Sequence, residues 1–191
     1  MRSARGWLDN NPERHGQKIK GLPVLGDISW LANHPGVAVH VAIGSPAVRY
    51  RVVRQIEALG PREFATLIHP GAHIGRHVRI GAGSIVCAGA SITTDVQTGR
   101  HNLINNQAAV AHDVMLGDFV TVAPNATLSG NVQVGDGVDF GTGAIAIQGL
   151  QIGEWSIVGA GAVLISDLPG NCTAVGVPVR PIKYREAGWH E

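Results

Sequence analysis

Cysteine is almost missing from this sequence: Cys87 and Cys172 are the only two in 191 residues. They form no CxxC or CxxxC pair, which excludes a disulfide framework and points to reduced, partly buried thiols. Charge is sparse as well. Charged residues make up 15% of the chain and the formal net charge is +1, so no electrostatic case exists for nucleic acid as the main partner. No apolar run approaches the ~18–20 residues of a membrane span, so membrane insertion is not expected. The opening MRSARGWLDNN lacks the apolar core of a signal peptide. These absences together predict a soluble, cytoplasmic protein.

What is abundant is glycine, with 26 residues and no three-residue collagen period. Such a content implies many tight turns or a close-packed solenoid. Apolar residues reach 45%, enough for a packed core in a chain of this length.

The chain has two rhythms. Residues 37–45 (VAVHVAIGS) read as a short β-rich run ending at a Gly-Ser turn. Residues 47–60 (AVRYRVVRQIEALG) predict a helix with Val48, Val52, Ile56 and Leu59 on one face, stopped at Gly60. GWLDN and LPVLGD read as short strand ends followed by polar loops. Together these segments resemble part of a doubly wound parallel sheet that lacks an opening strand and glycine-rich turn before Trp7.

From Ile68 the period becomes six. Steps of six lead from Ile68 through Ile74, Ile80, Val86 and Ile92 to Val158 and Leu164, seventeen positions of which only Thr98 is not apolar. A mostly small or β-branched residue precedes each by two, as at Ala72, Val78, Ser84, Ala90 and Val96. A period of six fits neither a helix nor a sandwich strand and predicts a parallel β-helix of hexapeptides. Three hexads make one triangular coil, which gives between five and six coils. The Gly or Asn that often follows the inward residue is expected to serve a corner requiring positive φ.

The hexads resemble the hexapeptide-repeat acyltransferases. IHPGAHIG (68–75), INNQAAVAHDVMLGDF (104–119), APNATLSGNVQVGD (123–136) and VGAGAVLISDLP with GVPVRPI (158–182) are similar to the sugar O- and N-acetyltransferases, among them sialic acid O-acetyltransferase and the bacillosamine-pathway UDP-amino-sugar acetyltransferase. The resemblance implies a mainly β chain: a small α/β domain over 1–66, curtailed at its start; a left-handed β-helix over 67–169; and a tail over 170–191. It also implies a homotrimer whose active sites each draw on two chains.

The resemblance further implies acetyl transfer from acetyl-CoA to an amino or hydroxyl group of a sugar, expected to be nucleotide-linked, without a metal. His112 would be the general base, since an imidazole with its ordinary pKa near ~6.5 is mostly neutral above pH 7. Gly130 would present its N–H to the thioester carbonyl, and Asn105 would lie near the base. The family carries an acidic residue where Asp113 stands. Neighbouring strand residues point to opposite faces, so Asp113 reaches the ring only if the chain turns there or pairing crosses subunits.

The pantetheine of CoA would run past Gly130, Gly143, Gly159, Ala160 and Gly161, with Arg180 and Lys183 near the 3′-phosphate. Asp9, Gly44 and Ser45 are the candidate acceptor contacts. Two rival sites are disfavoured. His69, His73 and His77 have helical ligand spacing in a segment that is not helical, and the histidine pair of a β-helical zinc hydratase is missing. An acceptor that is not a sugar, such as an amino acid, and a non-catalytic scaffold are the alternative readings.

Overall fold

The computed structural model describes residues 3–191. It contains two compact units, one comprising the chain up to Val39 with Val53–Glu63, the other His40–Val52 with Phe64–Glu191.

The first unit holds strands β1 (Trp7–Leu8), β2 (Lys18–Ile19) and β3 (Leu22–Gly26), in the order β1-β3-β2. The β1–β3 pair is parallel, as a doubly wound sheet requires. Strand β2 adds an antiparallel hairpin, closed by Lys20 (φ 47°) and Gly21 (φ 82°). Two consecutive positive φ angles are what a two-residue hairpin turn needs. A short 3-10 helix, Ile28–Asn33, follows, and the Arg62 guanidinium donates to the carbonyls of Leu31 (2.9 Å) and His34 (2.7 Å) at its end.

Residues 37–45 do not form the expected strand. The carbonyls of Ile43 and Gly44 accept from the Arg49 guanidinium (2.6 and 2.9 Å) in place of a neighbouring strand. Helix α1 (Pro46–Glu57) forms where the periodicity placed it, but its buried side is different. Val48 and Leu59 are exposed, whereas Ala47, Arg49, Val53 and Ile56 are buried. The helix is rotated toward Arg49, whose hydrogen bonds outweigh the burial of a valine.

In the second unit every expected hexad from Ile68 to Leu164 turns its aliphatic residue inward, except at the frayed first coil, where Ile68 is exposed. Three parallel sheets form. The first face stacks Leu67–Ile68, Ile85–Val86, Leu103–Ile104, Thr121–Val122, Asp139–Phe140 and Ile157–Val158. The second stacks His73–Ile74, Ser91–Ile92, Ala109–Val110, Thr127–Leu128, Ile145–Ala146 and Val163–Leu164. The third stacks Gln97–Thr98, Met115–Leu116, Gln133–Val134 and Gln151–Ile152. Each residue pairs with the one eighteen positions on, as Val110 does with Leu128. That register puts like side chains over one another along the whole axis.

The glycines that follow the inward residues do not carry positive φ, contrary to expectation. Positive φ falls two residues later, at His77, Asp95, His101, Gln107, Asp113, Phe119, Asn125, Asn131 and Trp155 among others. The glycines serve close approach instead. A Cβ on Gly75 would lie 2.0 Å from the Thr93 carbonyl oxygen, and one on Gly135 would lie 2.7 Å from the Glu154 nitrogen. Coils at strand spacing leave no room for a side chain at that corner residue.

The tail extends the first face. Cys172–Val175 pairs in parallel with Ile157–Val158, and Arg180–Tyr184 pairs antiparallel with Cys172–Val175. Among the described residues no helix is long and apolar enough to cross a membrane.

Candidate active site

The three faces meet at corners, and the corner between the second and third faces carries His112, Asp113 and Gly130. Its first residues stack in the order Arg76, Thr94, His112, Gly130, tied by Asp95 N–H to Arg76 O (3.1 Å), Asp113 N–H to Thr94 O (3.2 Å) and Asn131 N–H to His112 O (2.9 Å). The second corner residues, His77, Asp95, Asp113 and Asn131, all have φ near +60°. Asp and Asn tolerate this left-handed conformation better than other residues with a Cβ.

That conformation answers how Asp113 relates to His112. The chain turns at Asp113, and its Oδ2 accepts from the His112 ring at Nδ1, 2.8 Å away. A carboxylate on Nδ1 fixes the tautomer and leaves Nε2 as the basic nitrogen. Both side chains are exposed, His112 at 62%, so the Nε2 edge is open to a substrate.

Gly130 lies one coil beyond. A Cβ there would sit 2.5 Å from Cε1 and 2.6 Å from Nε2 of His112, so the imidazole rests against a residue that has no side chain. The Gly130 carbonyl accepts from Gly149 N–H (3.0 Å), while its own N–H donates to no group among the described residues. The first corner residue enters the backbone ladder through its carbonyl alone, which leaves this N–H beside the ring and available to an oxyanion.

Asn105 belongs to another corner, the one between the first and second faces. Its Oδ1 accepts from Asn106 N–H (2.8 Å), and it makes no hydrogen bond with His112. On that same corner lie Gly143 and Gly161, both at positive φ (65° and 66°) with open space where a Cβ would be. Gly159 is tighter, with Val175 Cγ1 2.7 Å from its would-be Cβ, and Ala160 is exposed. Arg180 and Lys183 are exposed on the last strand of the tail.

Of the acceptor candidates, Asp9 lies in the first unit. Its carboxylate accepts from Asn11 N–H (2.9 Å) and pairs with Arg14 (2.9 Å), and the Asn11 amide chiefly holds its pKa below the ordinary value. Gly44 and Ser45 lie in the second unit. The Gly44 carbonyl accepts from Thr121 Oγ1 (2.9 Å) and from Arg49 (2.9 Å), and Ser45 O accepts from Arg49 N–H (2.9 Å) at the start of α1.

Arg49 is the residue that sequence reasoning missed. Its guanidinium is buried and also donates to the carbonyls of His101 (2.8 Å) and Phe119 (2.8 Å) and to Thr121 Oγ1 (3.0 Å). Burial lowers its pKa to about 10, opposed by the nearby Asp139 carboxylate, whose own pKa burial raises. The available signal was phase: positions 49, 53 and 56 share one helical stripe with Arg49 at its head.

His69, His73 and His77 do not converge. His69 accepts at Nδ1 from Gly71 N–H (2.9 Å), His73 sits on the second face, and His77 pairs with Asp95 (3.0 Å). Among the described residues no group of three or more His, Cys, Asp or Glu side chains is placed to hold a metal ion.

No family model matches the sequence, and no curated protein matches it. Solved structures do match. The acetyltransferase domain of PglB from Neisseria gonorrhoeae is 32% identical with a TM-score of 0.84, over 93% of this chain and 86% of that one. A variant of perosamine N-acetyltransferase from Caulobacter crescentus, in complex with CoA and GDP-perosamine, is 35% identical with a TM-score of 0.85, over 93% and 84%. WeeI from Acinetobacter baumannii is 33% identical with a TM-score of 0.84, over 93% and 85%.

The left-handed β-helix and its likeness to these structures define the class: this is an acyltransferase. The chain belongs to the hexapeptide-repeat nucleotide-amino-sugar acetyltransferases.

Proposed function

We propose that the protein transfers the acetyl group of acetyl-CoA to the amino group of a nucleotide-linked amino sugar, with His112 as general base. The observation that carries this reading is the His112–Asp113 pair laid against Gly130. The neutral imidazole takes a proton at Nε2 as the sugar nitrogen attacks the thioester carbonyl. Asp113 holds the ring and stabilises the imidazolium that results. The Gly130 N–H donates to the oxyanion of the tetrahedral intermediate, an effect commonly worth about 3 kcal/mol. When the C–S bond breaks, the imidazolium returns its proton to the departing thiolate.

The pantetheine passes along the corner of Gly143 and Gly161, where the open space over the backbone suits a ligand chain. Ala160, Gly159, Arg180 and Lys183 complete the donor site, the two cations meeting the phosphates. Asn105, on the far corner of the same face, would act on the His112 of a neighbouring chain in a homotrimer. The outward side chains nearest them, Ser91, Ala109 and Thr127, are short enough for such packing. Gly44 and Ser45, in the unit that carries His112, would meet the acceptor. The enzyme would act in the cytoplasm, where both cysteines stay as the free thiols seen here.

The test is CoA release from acetyl-CoA in the presence of GDP- and UDP-linked amino sugars, free amino sugars and amino acids. Turnover with a nucleotide-linked amino sugar, lowered ~10²-fold or more in His112→Ala, is expected. Turnover unchanged in His112→Ala would sink the mechanism, and a preference for amino acids would sink the acceptor.

A further inference from the structure

The segment GRHVRIG (75–81) brings Arg76, His77 and Arg79 within four residues, and none of them takes part in the acyl-transfer chemistry. Arg76 and His77 stand on the corner of His112, two coils toward the N-terminal end. At one strand spacing per coil the Arg76 backbone lies about 10 Å from that of His112, within reach of an arginine side chain and one sugar ring. Arg79 begins the third face beside them, bridged to Gln97.

Direction matters here. Gly130, the oxyanion donor, lies one coil to the C-terminal side of His112, and the glycines assigned to the pantetheine lie further toward that end, on the corner between the first and second faces. The thioester therefore fills that side, and the nucleophile comes to Nε2 from the side of Thr94 and Arg76.

The charges on that side are already sorted. The Asp95 carboxylate accepts from Thr94 Oγ1 (2.9 Å) and His77 Nδ1 (3.0 Å), and the Thr94 hydroxyl chiefly holds its pKa below the ordinary value. Asp113 is engaged by His112. Arg76 and Arg79 are exposed and form no ion pair among the described residues, and the His77 side chain is 75% exposed with Nε2 free. Two unpaired guanidinium groups and an oriented imidazole, beyond carboxylates that have their own partners, suit phosphate oxygens.

We propose that Arg76, His77 and Arg79 form the anion-binding end of the acceptor site and hold the phosphates of the sugar whose amine meets His112. This rests on the acceptor reading given above.

Arg76→Ala/Arg79→Ala and His77→Asn are the variants, Asn being tolerated at the positive φ of position 77 (60°). In the arginine variant KM for a nucleotide-linked amino sugar is expected to rise about tenfold or more, with kcat and KM for acetyl-CoA little changed. Turnover of the same amino sugar without phosphate should not change. Calorimetric binding of the free nucleoside diphosphate should weaken in parallel, and it should weaken with salt in the wild type more than in the variant.

An unchanged KM, or an equal loss with the phosphate-free sugar, overturns the proposal while leaving the acetyltransferase reading intact. A wild type that turns over only acceptors without phosphate overturns both.

Discussion

Two corners of the same β-helix share a backbone and differ in everything else. On one, the left-handed positions hold His101, Phe119 and Trp155; on the other they hold His77, Asp95, Asp113 and Asn131. The first corner is covered. His101 is fully buried, stacked on Phe119 at 5.0 Å and met edge-on by Phe64, while Tyr50 meets Phe119, Trp155 and His190. The His190 ring lies flat on Trp155 at 3.4 Å, and Arg51 donates to the His190 carbonyl (2.8 Å). The second corner has no such cover, and its histidine keeps a basic nitrogen toward solvent. The coil supplies identical geometry at both places, and the elements laid over it decide whether a corner histidine is structural or chemical.

Arg49 is what fastens the cover, so its replacement should break the contrast most severely. Arg49→Met keeps the stem but leaves the carbonyls of His101, Phe119 and Ile43 without their donor. Each buried acceptor so abandoned costs about 1–3 kcal/mol, and a loss on the order of 4 kcal/mol is expected. Chemical denaturation at neutral pH measures it. A variant as stable as the wild type would show that water replaces the guanidinium and that the corner is not truly sealed.

The mirror experiment is His112→Ala, which should remove activity and spare stability. A drop in kcat of ~10²-fold or more, about 3 kcal/mol in the barrier, is expected, with the melting temperature nearly unchanged because the side chain is exposed. The matching change on the covered corner, His101→Ala, should lower stability by about 3 kcal/mol through the emptied aromatic stack. If the two histidines exchanged these effects, the distinction between the corners would be wrong. Gly130→Ala should act like His112→Ala but less severely, by about tenfold to a hundredfold in kcat, since its Cβ would push the ring aside.

The repeat itself was legible because it is written in the core: an inward residue every six positions leaves no other fold that buries them. His112 was legible because it breaks that register on a motif with a known resemblance. Three features were not. Asp113 reaches His112 only through a left-handed turn, and a strand-like reading of the stretch hides it. The glycines after the inward residues were read as turn formers, whereas coil-to-coil spacing excludes their Cβ atoms. The buried side of α1 was misread because an arginine was counted as polar, whereas three of the five carbonyls its guanidinium meets lie about fifty to seventy residues away, the other two being those of Ile43 and Gly44. The three distant partners leave no trace in the local sequence.

The smallest expected effect tests whether the cover is dry. His40 lies in the same unit as Arg49, donates from Nδ1 to Ala65 O (3.0 Å), and has its Nε2 buried without a partner. Burial, with Arg49 adding repulsion, pushes its pKa below the ordinary value of 6.5. A base whose folded pKa is depressed binds fewer protons folded than unfolded. Its contribution is therefore fully present above pH 6.5 and is lost as pH falls through that value toward the folded pKa. Thermal denaturation from pH 8 to pH 5 should show this decline in the wild type and a shallower one in His40→Asn, whose amide retains a donor toward Ala65. An equal slope in the wild type and in His40→Asn would mean that the cover does not desolvate the His40 imidazole, and the contrast between the corners would then rest on packing alone.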